Sequence, residues 1–139
     1  MKYPEKPEDI ETEILISVAN GGEQRIRKLG RVIADVNPEM IVEGVLRVFE
    51  REDRPTNLFT DQKFAGQILK ITKPKSERTA LEILKRTVKN WDKSVAELPL
   101  WMKENFGEGI LSEAFRLYSM SETDPDGKIK TMEFWIKQK

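Results

Sequence analysis

The chain has 139 residues, 24 basic side chains against 24 acidic ones, and neither histidine nor cysteine. The length suits one domain with its own core, and the charge balance gives no overall pull toward nucleic acid, membrane or acidic ligands. The two missing residue types exclude Ser-His-Asp and Cys-His catalysis, zinc held by imidazole or thiolate, and any disulfide.

The opening, MKYPEKPEDIETEILI, is acidic and polar, unlike a secretory signal or transit peptide. No apolar run approaches the length that crosses a bilayer, so the expected location is cytoplasmic, away from membranes. Pro4 and Pro7 make residues 1–7 a stiff, extended lead-in. A first helix is predicted from near Glu8, with Ile10, Ile14 and Val18 on one stripe and Leu15 widening it. Asn20-Gly21-Gly22 stops it. Ile26, Leu29, Ile33 and Val36 then recur at three and four residues and predict an amphipathic second helix. Asn37 caps a third, with Pro38 at its first position, where a missing N–H costs nothing. Ile41, Val42, Val45, Leu46, Val48 and Phe49 make this helix apolar over much of its circumference, which predicts neighbours on two sides.

A polar break at Arg51–Pro55 precedes a fourth helix, capped at Thr60 or Asp61, with Phe64, Ala65, Ile68 and Leu69 inward. After Lys73-Pro74-Lys75, Ser76 caps a long fifth helix reaching about Trp91, its seam at Leu81, Leu84, Val88 and Trp91. Ser94 with Glu97 forms a capping box for a sixth, which Pro99 bends or restarts. Gly107 ends it, and a short seventh helix covers Ile110 to Tyr118.

The fold class expected is therefore all-α: six to seven helices in successive antiparallel pairs, first with second, third with fourth, fifth with sixth. The later pairs open on MIVEGVLRVFER and ALEILKRTVKNW, the two most similar stretches. Over residues 8–106 this pairing resembles HEAT and armadillo repeats, although no consensus residue recurs cleanly. An irregular bundle accounts for the same pattern. The resemblance implies a short α-solenoid whose broad outer surface binds another macromolecule.

The tail, residues 115–139, carries two further patterns. Residues 122–133 resemble an EF-hand loop, which would place Glu122, Asp124, Asp126 and Glu133 as calcium ligands around Gly127. Glu122 stands where that family prefers Asp, and Pro125 where it prefers a residue tolerating left-handed backbone. The preferred reading is a turn. Asp124-Pro125-Asp126-Gly127 has the residues of a type I turn, and alternation in 115–120 with β-formers beyond 129 predicts a C-terminal β-hairpin, a short helix after the turn being the alternative. Phe134, Trp135 or Ile136 would hold that element to the helices.

Between Lys63 and Lys93, nine basic residues face only Glu77, Glu82 and Asp92. On the expected fifth helix, Arg78, Lys85, Arg86, Lys89 and Lys93 fall on one side, opposite the apolar seam. They form a candidate partner-binding ridge, set against the commoner reading of a solvated face. No carboxylate pair, glycine loop or metal motif is marked out by spacing. The expected function is a non-catalytic helical scaffold, without cofactor, that binds another protein. A nucleic-acid-associated role through the basic face is the first alternative, and calcium response through the tail the second.

Overall fold

The computed structural model describes residues 1–138. Their helices are α1 (Pro7–Ala19), α2 (Gly22–Val32), α3 (Pro38–Glu50), α4 (Leu58–Thr72), α5 (Ala80–Thr87), α6 (Glu97–Phe106), α7 (Glu108–Ser121) and α8 (Lys128–Ile136), with a 3-10 turn at Pro55–Asn57 before α4. The all-α class holds, with eight helices rather than six or seven.

The first half follows its local signals. Pro7 takes the first position of α1, and Asp9 accepts hydrogen bonds from the amides of Glu5 (3.0 Å) and Lys6 (3.3 Å), tying down the lead-in. The seam Ile26, Leu29 and Ile33 is buried. The Asn37 side chain accepts from the Glu39 amide at 2.9 Å, with Pro38 next in line. Six of the expected apolar positions on α3 are buried on more than one side, because α3 packs against α1, α4 and α5. α4 begins three residues before Asp61, out of the 3-10 turn. Asp61 is then free to turn inward and accept from Arg54 Nε at 2.8 Å.

Packing follows a simple order. α1 rests chiefly on α3, α3 on α5, and α5 on α7. α2 rests on α4, α4 on α6, and α6 on α8. Odd- and even-numbered helices thus form two rows, joined by α1–α2, α1–α4, α3–α4, α6–α7 and α7–α8 contacts. The core between the rows holds Phe49, Trp91, Ile14, Leu29, Leu46, Ile68 and Ile83, all essentially fully buried. α5 and α6, expected to pair, share no extensive contact. The stretch from Val88 to Ala96 lies between them, and Trp91 is buried there with its indole N–H on the Val95 carbonyl at 2.9 Å.

The fifth helix is shorter than expected. Thr79, not Ser76, caps it, accepting from the Glu82 amide at 3.1 Å. The Ser76 hydroxyl donates to Glu39 on α3 instead (2.9 Å), and residues 76–78 stay outside the helix. Ser94 likewise bonds Asp92 rather than capping α6. Pro99 is the third residue of α6, where its missing N–H breaks no bond, so the helix continues to Phe106.

The C-terminal β-hairpin is absent: no strand occurs among the described residues. Leu111, Ala114, Phe115 and Tyr118 are buried at helical spacing, so residues 115–121 continue α7. The turn itself forms, the Gly127 amide donating to the Asp124 carbonyl at 3.2 Å. Gly127 then adopts φ +66°, and the Asp124 carboxylate accepts from the amides of Lys128 and Ile129, both at 2.9 Å. Two free N–H groups of a helix are satisfied there, so the turn opens α8, not a second strand. Ile129, Met132 and Ile136 bury α8, Trp135 is half-buried, and Phe134 points outward. Asp124→Ala is expected to cost about 1 kcal/mol and to fray α8 selectively, read as faster amide exchange at Lys128 and Ile129. Unchanged exchange there would refute the cap.

Candidate functional site

The ridge expected on α5 divides in two. Arg78 and Arg86 turn toward α3. Arg86 Nη1 lies 2.6 Å from Glu43 Oε1 and Nη2 2.8 Å from Glu43 Oε2, with Nη2 also 2.6 Å from Glu50 Oε1. Arg78 Nη1 reaches Glu43 Oε1 at 2.7 Å and Nε approaches Glu39 at 3.6 Å. Glu39 also accepts from the Glu77 amide at 2.8 Å. Four- and seven-residue spacings bring Glu39, Glu43 and Glu50 to one side of α3. The hydrogen bonds from Arg86, opposed by partial burial and reinforced by Arg78, hold the Glu43 carboxyl down to about 2. The same bonds raise the Arg86 guanidinium above its ordinary value. Arg86 clamps α5, and Arg78 the segment just before it, to α3.

The lysines of the ridge point outward. Lys89 approaches Glu52 at 3.3 Å across an exposed gap, and Lys85 and Lys93 make no ion pair among the described residues. α5 ends at Thr87, so Lys89 and Lys93 sit on the following turns. Their backbone carbonyls receive the Lys128 ammonium (2.6 Å) and the Trp135 indole N–H (2.8 Å), which dock α8. Desolvation in that contact lowers the Lys128 pKa.

The four calcium candidates do not converge. Asp124 is committed to the α8 amides, Glu122 and Asp126 are exposed, and Glu133 lies within α8. No group of three or more acidic side chains is placed to hold a metal ion among the described residues.

A different feature stands out between α4 and α6. A groove of about 350 Å³ has an apolar floor of Leu69, Ala96, Leu100 and Trp101, with Lys63, Lys70 and Lys73 along the α4 rim and Glu97 and Glu104 opposite. The Trp101 indole N–H donates to the Pro74 carbonyl at 2.9 Å, which fixes that wall. Leu100 is 42% exposed. Glu97 Oε2 takes the Lys63 ammonium at 2.6 Å, while its Oε1 is buried with no hydrogen-bond partner. Lys73 reaches Glu104 only at 3.8 Å, with both side chains exposed. No local signal marks this groove. Its rim was visible only as part of the excess of lysine between residues 63 and 93, and the Glu97 that closes it was expected in a capping box.

No helix among the described residues is long and apolar enough to cross a membrane. No protein-family model, curated protein or solved structure matches the chain.

Proposed function

We propose that the protein is a non-catalytic helical scaffold that binds another protein, and that it takes an acidic, apolar-anchored segment of that partner in the α4–α6 groove. The observation that carries this reading is the combination of an apolar floor, including the exposed Leu100, with Lys70 and Lys73 on one rim. An apolar side chain fits the floor, and carboxylates meet the lysines. The stacking of each helix on the one two before it supports the solenoid form of the scaffold, in which such grooves lie between neighbouring helices of a row.

Selection of a displayed random-peptide library tests the reading. Enriched peptides should carry two or more acidic residues beside one large apolar residue. Lys70→Glu with Lys73→Glu, or Leu100→Asp alone, should weaken their binding at least about tenfold, the loss of one good contact. Lys85→Glu with Lys89→Glu and Lys93→Glu should leave it intact. Peptides that bind equally to the groove variants would overturn the site. Loss only in the second set would return the contact to the outward lysines. The nucleic-acid alternative rests on those three lysines, since both arginines are engaged with α3. It requires binding of an oligonucleotide that falls steeply with salt.

A further inference from the structure

α7 closes the odd-numbered row. Its inner side, Leu111, Ala114, Phe115 and Tyr118, packs on the molecule. Among the described residues no helix lies beyond its outer side, yet that side is not polar. Ile110 is 63% exposed, Leu117 38% and Met120 72%. Glu113 and Arg116 pair with each other among them. A shallow depression of about 340 Å³ between α5 and α7 runs past Leu81, Gly109, Ile110 and Leu117. At Gly109 an added Cβ would meet nothing within 4 Å, so the depression is open at that point.

We propose that the protein self-associates through this face, as a two-fold dimer in which α7 packs antiparallel on α7 of a second copy. The residues fix the register. In an antiparallel pair related by a two-fold axis, each residue meets the one equally far on the other side of the axis. An axis between residues 114 and 115 brings Glu113 opposite Arg116 of the second copy, and Arg116 opposite Glu113. The same axis sets Met120 of each copy over Gly109 of the other, where the depression is open. Both pairs depend on one symmetry element, so the match is a single register and not two separate adjustments.

The angular positions agree. At about 100° per residue, Gly109 and Met120 lie about 20° apart around α7, and Ile110 and Leu117 a further 60–80° toward α5. A two-fold axis crossing the contact preserves that lateral offset. Ile110 therefore flanks Leu117 of the second copy, about 3 Å apart along the helix direction. The existing Glu113–Arg116 pair of each copy joins its counterpart into a four-charge cluster of alternating sign. Self-complementary charge and self-complementary shape on one face select a second copy of this chain over an unrelated partner. An interface of one helix face is small, which places it among weak associations.

Sedimentation velocity from about 5 to about 500 µM tests this, with a dimer expected at a dissociation constant on the order of 10–100 µM. Glu113→Arg and Arg116→Glu should each abolish the dimer, and an equal mixture of the two should restore it as a mixed species. Gly109→Leu should abolish it by filling the depression, while unfolding experiments show α7 no less stable. Met120→Glu should behave like the single charge variants. A monomer across the whole range, or a dimer indifferent to these substitutions, or a failure of the mixture to associate, overturns the proposal. Peptide binding in the α4–α6 groove is a separate readout and is expected to be unchanged in all of these variants.

Discussion

Gly44→Val is expected to destabilise the protein by at least about 3 kcal/mol, lowering the midpoint of thermal unfolding by about 10 °C for a chain of this size. α1 and α3 make the most extensive helix contact in the fold, and Gly44 lies at their closest approach. A Cβ there would stand 2.8 Å from Ile10 Cβ, 2.9 Å from Ile10 Cγ2 and 2.9 Å from the Pro7 carbonyl oxygen. Ile10 is completely buried, and the Pro7 oxygen is backbone at the head of α1, so neither can give way. Relief requires α1 to lift from α3. That movement stretches two ion pairs on the same interface, Glu11 to Arg47 at 2.9 Å and Glu11 to Arg51 at 2.8 Å. On an open helix surface, replacing glycine by alanine gains about 1 kcal/mol. Here even Gly44→Ala should lose stability. Urea unfolding of the two variants beside the parent decides it, and an alanine variant as stable as the parent would remove the close-approach argument.

The second large effect belongs to Glu43. Its carboxyl titrates at about 2 in the folded chain, against about 4.5 when unperturbed. The depressed value fixes the sign. The stabilisation is present in full above about 4.5 and is lost as pH falls toward 2, where the folded-state carboxylate takes up its proton. With about a quarter of the side chain open to solvent, the contribution is about 2 kcal/mol after screening. Glu43→Gln should therefore cost about 2 kcal/mol at pH 7. Arg78 and Arg86 keep only Glu39 and Glu50 in that variant. Near pH 2.5 the difference between variant and parent should shrink to about a quarter of its value at pH 7. Unfolding midpoints for both proteins across pH 2.5 to 7 provide the measurement. Curves that stay parallel would show that Glu43 contributes nothing specific to the clamp.

Local chemistry made some elements legible and left others hidden. Asn37-Pro38 announced the start of α3 because cap and first-turn proline act within three residues of each other. The Ile26–Leu29–Ile33 seam announced α2 for the same reason. The start of the fifth helix is ambiguous in the sequence because two good caps, Ser76 and Thr79, stand three residues apart. The choice between them is made by Glu39, far back in the chain. The ridge was drawn on a helix that stops at Thr87, and its arginines answer to Glu43 and Glu50, 43 and 36 residues before Arg86. A wheel drawn on one helix contains no such partner. In the tail, a run of six residues fits alternation and helical spacing equally well. Only by starting one turn earlier, at Leu111, does the helical period become plain. The Asp-Pro-Asp-Gly residues suit a turn and a helix start alike, and Asp124 serves both. The α4–α6 groove had no local signature, since its walls meet only through the packing of the even-numbered row.

The two-row order has a kinetic and mechanical consequence. Every extensive helix contact joins elements no more than three apart along the chain, and none ties α1 or α2 to α7 or α8. Closing such contacts requires only short loops, so the chain can assemble progressively, each helix adding to a template already laid down. The converse holds under load. α7 and α8 can come away while the Phe49 neighbourhood stays intact, and the α4–α6 groove loses α8 as a brace before it loses its own walls.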